Sequence, residues 1–300
     1  MADSRHVRVN ALAKLNLSLE VLEKRADGYH NLRTLFQTIS LADEIDIDYE
    51  PAAATTIDID SDIPDNLIVR AARLVLDELG VMGRLSFRLT KNIPMGAGLG
   101  GGSSDAAAIL LSLPTLAGRS IGLDRLLELA ADLGSDVPFF VIGGTALGLS
   151  RGEELYPVSD VRYNLALATP DLHVGTPDAY RALARSESYR PERNAARDFL
   201  LTGDPAYWTN DFEAAVFARH PELGDLRRKL EASGVESVRM SGSGSSLFGI
   251  CSDEATGSNL GPGVQVVQCV NRLRYRAMWW RQLSGFVAEG TWPPRALPSA

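Results

Sequence analysis

The sequence predicts a mixed α+β protein, and three features of its patterning carry that prediction. Strand-like and helix-like stretches interleave without a regular strand–helix alternation, which favours α+β over a doubly wound sheet. A period-two alternation of apolar and polar residues runs from Val7 to Glu20. A loop with five glycines between Gly96 and Gly102 stands just before an apolar run, Ala106 to Leu113. At 300 residues and 45% hydrophobic, the chain can fill the cores of one large or two ordinary domains. A second half begins near Tyr156, so the expected division is 1–155, 156–285 and a tail, 286–300.

In the first strand, Val7, Val9, Ala11, Ala13, Leu15, Leu17 and Leu19 alternate with more polar positions. The alternation puts Lys14 and Asn16 on one face, about 7 Å apart by strand rise. Arg25 to His30 reads as a turn, and Leu35–Ile39 and Ile45–Ile47 read as further strands. Asp65-Asn66-Leu67 opens a helix that runs to about Leu79 and ends at Gly80. Leu85, Phe87 and Leu89 alternate in a strand that runs into the glycine loop, and a helix is expected where the glycines stop. Leu123–Leu133 is helical by spacing and ends at Gly134. Ser135 to Pro138 reads as a tight connection and Phe139–Ile142 as a strand.

In the second half Leu165–Ala168 is a strand, Thr176-Pro177 begins a helix, and Ser186–Arg197 is a polar loop. Phe212–Phe217 and Leu223–Ala232 are helical. Val235–Met240, Leu247–Cys251 and Val264–Val270 are strands, and Ser241 to Ser246 is a second glycine–serine loop. Beyond Trp279 no pattern emerges, and Trp292-Pro293-Pro294 suggests a loose tail.

Composition narrows the functional classes. A net charge of −8 provides no basic excess for nucleic acid or a membrane surface. It would also repel an anionic substrate at long range, so a site for one must carry local positive groups. Cys251 and Cys269 are too few for a disulfide framework or a four-cysteine zinc site, and His6, His30, His173 and His220 lack metal-ligand spacing. No signal core opens the chain, and the run Val137–Leu149 is too short to span a bilayer, so a soluble cytoplasmic protein is expected. Of 30 basic residues only Lys14, Lys24, Lys91 and Lys229 are lysines, and two of them fall beside the most chemical-looking segments.

The segment Pro94-Met95-Gly96-Ala97-Gly98-Leu99-Gly100-Gly101-Gly102-Ser103-Ser104-Asp105 removes the side chains that would keep a ligand from the backbone. Bare N–H groups ahead of a helix form an anion site, reinforced by the helix dipole, and the natural guest is a phosphate chain. The G-x-G-x-x-G within it lacks the buried strand and the acidic residue of a dinucleotide-binding fold. A P-loop is excluded because no G-x-x-x-x-G-K-[ST] occurs, and the motifs of protein kinases are missing too. Asp136, between a helix end and a proline, is the candidate base; a lone aspartate at such a turn is otherwise a local cap. Lys14 near it would keep it ionised and place positive charge on a transferring phosphoryl group. Tyr29-His30 combines a stacking ring with a hydrogen-bonding imidazole, which suits a heterocyclic base as well as it suits a packed turn. Ser241 to Gly249 fits either a second ligand loop or a hairpin turn.

Together these segments resemble the GHMP kinases. Pro94 to Ser104 is similar to their phosphate loop and Ser241-Gly242-Ser243-Gly244 to their third motif. Ala13-Lys14-Leu15-Asn16-Leu17, Arg25 to His30, Asp65-Asn66-Leu67, Gly134 to Phe139 and Thr176-Pro177 resemble the branch acting on a cytidylyl diphosphate sugar alcohol. The resemblance runs in order from about residue 8 to about residue 250. It implies two α+β domains, an ATP-binding one like the second domain of ribosomal protein S5 and a ferredoxin-like, substrate-side one, with the site in the cleft between them. It implies an ATP-dependent phosphotransferase with magnesium, acting in isoprenoid precursor biosynthesis as a monomer or homodimer, without nucleic-acid or membrane partners. Asp136 would be the catalytic aspartate and Lys14 its partner. Pro94 to Ser104, Lys91 and Asn66 would bind ATP, and Ser104 the metal; no carboxylate ligand is placed. Tyr29, His30 and Tyr180 would hold the cytosine, and Asn16 and Thr176 would touch substrate. Cys269 to Ala300 matches no motif. Kinases of homoserine or mevalonate in the same superfamily, a nucleotide sensor without catalysis and a dehydrogenase are the rival readings. An assay of ADP release over a panel of alcohols separates them.

Overall fold

The computed structural model describes residues 4–183, 194–252, 260–261 and 263–298. In chain order the first half contains β1 (Arg5–Lys24), β2 (His30–Pro51), β3 (Thr56–Asp60), α1 (Leu67–Leu79), β4 (Gly83–Thr90), α2 (Gly101–Leu116), α3 (Leu123–Leu133), α4 (Val137–Ile142), β5 (Thr145–Ser150) and β6 (Glu154–Pro157). The second contains β7 (Asn164–Ala168), α5 (Thr176–Leu183), α6 (Ala195–Thr202), β8 (Thr209–Asn210), α7 (Glu213–Arg219), α8 (Pro221–Ala232), β9 (Glu236–Met240), β10 (Leu247–Ile250), β11 (Val264–Gln268) and α9 (Arg272–Gln282).

Two sheets organise these elements. The larger runs β3-β4-β2-β1-β8, with β5 on β2 and β6 on β5; the smaller runs β11-β7-β10-β9. β1 and β2 pair antiparallel over nearly their whole length, and the stretches expected as separate strands at Leu35–Ile39 and Ile45–Ile47 are parts of β2. β4 covers one end of β2 and β5 the other. The short β8 reaches back from the second half to pair parallel with Ser18 and Leu19.

β1 threads three cores. Val7, Val9 and Ala11 pack with α1 to α4; Ala13, Leu15 and Leu17 pack with Leu165, Trp208 and Phe248; Leu19 and Val21 pack with Phe212, Val216 and Val238. α2 is buried from Ser104 to Leu116, as befits a helix apolar on every side.

Several expectations are corrected. Phe139–Ile142 belongs to helix α4, not a strand. A short apolar run does not distinguish the two by periodicity, and Pro138 in the first turn with Gly143 beyond the last supplies helix boundaries. α2 begins at Gly101, earlier than the end of the glycines. Of Ser186–Arg197, residues 186–193 lie outside the described residues and Ala195 to Arg197 open α6. The Asn194 carboxamide accepts from Arg197 N at 3.1 Å, and buried Glu20 accepts from Ala195 N at 3.1 Å. The C-terminal segment is packed rather than loose. Tyr275, Trp279, Leu283 and Val287 join the first core, although most of them fall in the span 156–285 expected to form a separate unit. Ala288 N donates to Arg295 O at 3.1 Å and Leu297 N to Phe286 O at 3.0 Å.

Trp279, 1% exposed, gives a direct check on that packing. Trp279→Ala should cost about 3–5 kcal/mol, read as a lowered urea midpoint with unchanged m-value; a loss near that of a surface substitution would contradict the packing.

Candidate active site

β1 is irregular between Leu12 and Lys14 and again between Asn16 and Ser18. Such bulges re-aim side chains, and Lys14 and Asn16 sit between them. Lys14 Nζ donates to Asn16 Oδ1 at 2.6 Å and ion-pairs with Asp136 Oδ2 at 3.2 Å. It also lies 5.4 Å from the Phe36 ring centroid. The lysine is 4% exposed and the aspartate 34%, so the carboxylate is the member of the pair open to the cleft. Asp136 stands at the N-cap position of α4, yet its side chain caps no backbone N–H there. The local capping role is therefore not what holds it.

The glycine loop lies against Lys14 and lines the same cavity as Asp136. Its carbonyls are consumed one after another: Ala97 O accepts from Ser246 N at 3.2 Å, Gly98 O from Ser241 Oγ at 2.9 Å, and Leu99 O from Lys14 N at 3.0 Å. Gly98 has φ +77°, and a Cβ there would stand 2.1 Å from Ser241 O, so this backbone-on-backbone approach requires glycine. Past the loop, Ser104 N bonds to Gly100 O at 2.9 Å. The N–H groups of Gly101, Gly102 and Ser103 belong to the first turn, where no intrahelical acceptor exists. A 16-residue helix adds its dipole behind them. The arrangement can bind phosphate oxygens.

Two cavities meet this loop. The larger, about 490 Å³, includes Lys14, Asn16, Asp136, Gly96 and Gly98 in its walls. The smaller, about 170 Å³, is lined by Asn66, Leu67, Lys91, Met95, Gly102 and Asp105 among others. Lys91 is anchored there by Asp43 and by Asp105, the latter at 2.9 Å. Burial works against the Lys91 ammonium, yet the two carboxylates hold its pKa above the ordinary lysine value. Burial raises that of Asp105, with the charge of Asp43 adding to it and Lys91 opposing. Asn66 caps α1, accepting from Ile68 N at 3.0 Å. Ser104 is 2% exposed, its hydroxyl donates to Leu12 O at 2.7 Å, and it is not among the residues lining either cavity.

At the other end of the larger cavity the walls become aromatic. Tyr29, 58% exposed, sits on a turn fixed by Asp27 Oδ1 accepting from Tyr29 N at 3.1 Å. His30 stacks on Tyr180 with centroids 5.1 Å apart and planes 17° apart, and Phe212 meets Tyr180 edge-on at 4.9 Å. Burial, then the charge of Lys24, lowers the His30 pKa, which favours the neutral imidazole with one donor and one acceptor. Burial, with the charge of Asp136, pushes the Tyr180 phenol up to about 12. Thr176 Oγ1 lies 3.0 Å from Ser243 Oγ on the second glycine loop. Among the described residues lining this cavity Asp136 is the single carboxylate, beside the cations Lys14 and Arg151. The local positive balance expected in an acidic chain is present.

The GHMP kinases N terminal domain model matches residues 66–144 and the GHMP kinases C terminal model residues 190–262. The 4-diphosphocytidyl-2-C-methyl-D-erythritol kinase of Solibacter usitatus is 47% identical over 312 residues, covering 98% of each chain. The chain belongs to this kinase family. The kinase of the same name from Geobacter metallireducens is 38% identical over 82% of this chain and 89% of its own. A crystal structure of 4-(cytidine 5'-diphospho)-2C-methyl-D-erythritol kinase superposes with TM-score 0.76 at 38% identity, covering 88% of this chain and all of that one. A homoserine kinase from Cytophaga hutchinsonii, at 22% identity and TM-score 0.66, shares the fold. The two-domain α+β architecture is that of the GHMP kinases. Among the described residues no helix is long and apolar enough to cross a membrane.

The larger cavity thus gathers Lys14, Asn16, Asp136, Thr176, Tyr29, His30 and Tyr180, while Asn66, Lys91 and Met95 line the smaller one. Sequence reasoning missed Phe212, Arg151 and His173, which also line the larger cavity, and Asn210, which staples the second glycine loop. Asn210 Nδ2 donates to Met240 O at 2.7 Å and Gly242 O at 2.8 Å. No spacing rule marks these residues; only the fold brings them to the kinase cleft.

Gly98→Ala should weaken ATP binding roughly tenfold or more through strain and displacement of the second loop, measured by calorimetric titration; unchanged affinity would contradict the loop contact. An NMR titration of His30 should show a midpoint below the ordinary value near ~6.5, and a midpoint above it would contradict the burial of the ring.

Proposed function

We propose that this chain transfers the γ-phosphoryl group of ATP to the 2-hydroxyl of 4-diphosphocytidyl-2-C-methyl-D-erythritol, a step in non-mevalonate isoprenoid precursor synthesis. The observation that carries the reading is the Lys14–Asp136 pair, set between the phosphate-binding loop and the aromatic end of one continuous cavity. The nucleoside of ATP occupies the smaller cavity by Asn66 and Lys91, and its phosphates cross the first turn of α2. The cytosine of the acceptor lies among Tyr29, His30 and Tyr180, and its alcohol reaches Asp136, near Asn16 and Thr176.

Asp136 orients the hydroxyl and takes its proton. The hydroxyl oxygen bonds to the γ-phosphorus as the bond to the bridging oxygen breaks, and ADP leaves. Lys14 offsets the charge on the moving group. Phosphoryl transfer has a loose transition state, so positioning and electrostatics carry the catalysis. Magnesium, when bound with ATP, neutralises charge on the triphosphate. Ser104 would be its protein ligand: the hydroxyl donates its proton to Leu12 O at 2.7 Å, which leaves the oxygen lone pairs to bind a cation.

The test is ADP release with the cytidylyl diphosphate acceptor, with homoserine, with mevalonate and without acceptor. Turnover with the cytidylyl compound alone supports the reading; turnover with another acceptor instead overturns it. In the same assay Asp136→Asn should lose at least about 100-fold in kcat with little change in ATP affinity, and near-normal kcat would remove Asp136 from the base role.

A further inference from the structure

The geometry points to His173 as a phosphate-binding residue of this site, one that donates an imidazole N–H to a phosphoryl oxygen beside the glycine loop. The inference rests on the proposed kinase function. His173 precedes α5 and lies between the stretches matched by the two family models. Its ring crosses the cleft to the first glycine of the loop. A Cβ on Gly96 would stand 2.1 Å from His173 Nδ1 and 2.4 Å from Cε1, so the imidazole edge occupies the place of the missing side chain. Gly96 has φ +66°, a second reason for glycine there.

The segment that presents the ring is fixed on both sides. Leu172 O accepts from the buried Ser245 hydroxyl at 2.5 Å, which ties it to the second glycine loop, and Val174 is buried in the core that holds Leu19, Val21 and Phe212. The ring itself is exposed to the larger cavity and has no hydrogen-bond or ion-pair partner among the described residues. Its Nδ1–Cε1 edge is pressed on Gly96, which leaves Nε2 as the nitrogen free of that contact. A neutral imidazole has one N–H donor and a protonated one has two. A rigidly presented donor, between a loop built for phosphate and a cavity with one carboxylate, matches an anionic oxygen.

Two phosphate groups could supply that oxygen: the triphosphate of the nucleotide and the diphosphate of the acceptor. Calorimetric titration of ATP and, separately, of the cytidylyl diphosphate acceptor distinguishes them without depending on turnover. His173→Ala should weaken one of the two by roughly tenfold or more, the scale of a hydrogen bond to a charged group, and the ligand affected names the source. His173→Gln keeps an N–H donor and should recover most of the loss. His173→Phe keeps a ring over Gly96 without a donor and should recover none. Unchanged affinity for both ligands in His173→Ala, or wild-type behaviour in His173→Phe, overturns the assignment. Absence of ADP release by the wild-type protein would instead count against the kinase reading, whereas normal release with unaltered variants would count against His173 alone.

Discussion

The site depends on how one stretch of backbone is held. Three successive carbonyls of the glycine loop, at Ala97, Gly98 and Leu99, are bonded from behind by Ser246 N, Ser241 Oγ and Lys14 N. A peptide unit whose C=O points into the protein turns its N–H the other way, so tethering the acceptors helps present the donors. Buried carbonyls need partners in any case. Here the partners come from both halves of the chain, and the same bonds that satisfy the loop dock it onto β1 and onto the second glycine loop. The lack of side chains at Gly98 and Gly242 is what lets the two loops meet backbone to backbone.

β1 converts this local tether into a global one. The residue that bonds Leu99 O through its backbone is Lys14, whose side chain pairs with Asp136. A few residues either way, the strand contributes to each of the three cores. Displacement of the loop, the lysine or the strand would therefore disturb the other two. The same economy appears in the electrostatics. A chain with net charge −8 needs no overall positive field to bind an anionic ligand, because local cations, loop N–H groups and a helix dipole act within a few ångströms where screening by solvent is weak.

What was legible in the sequence had a period or a bare backbone. The alternation from Val7 to Glu20 placed Lys14 and Asn16 on one face, and the structure joins them by a hydrogen bond. The glycine cluster read as an anion site from its chemistry alone, and the resemblance to GHMP kinases supplied the fold and the cleft. The strand expected at Phe139–Ile142 failed because four apolar residues fit either a buried strand or a buried helix. Phe212 and His173 carried no signal, since each is a single side chain whose neighbours lie far away in sequence. The C-terminal segment lacked periodicity because its contacts are made by aromatic rings and side-chain donors, which no repeat announces.

That last segment explains how a six-residue helix can aim the Asp136 carboxylate. A helix as short as α4 has as many unbonded carbonyls at its end as a long one, and few internal bonds to stiffen it. Its carbonyls are taken up from outside. The Tyr275 hydroxyl donates to Phe140 O, Trp292 Nε1 donates to Val141 O at 3.1 Å, and Arg272 Nε donates to Gly143 O at 3.2 Å. All three donors come from the chain beyond β11. Asp136 sits at the opposite end of α4 with no cap bond of its own, so its direction is set by its pair with Lys14 and by how firmly the helix behind it is seated. The C-terminal residues, which no motif describes, thus hold α4 and with it the placement of the carboxylate facing the loop.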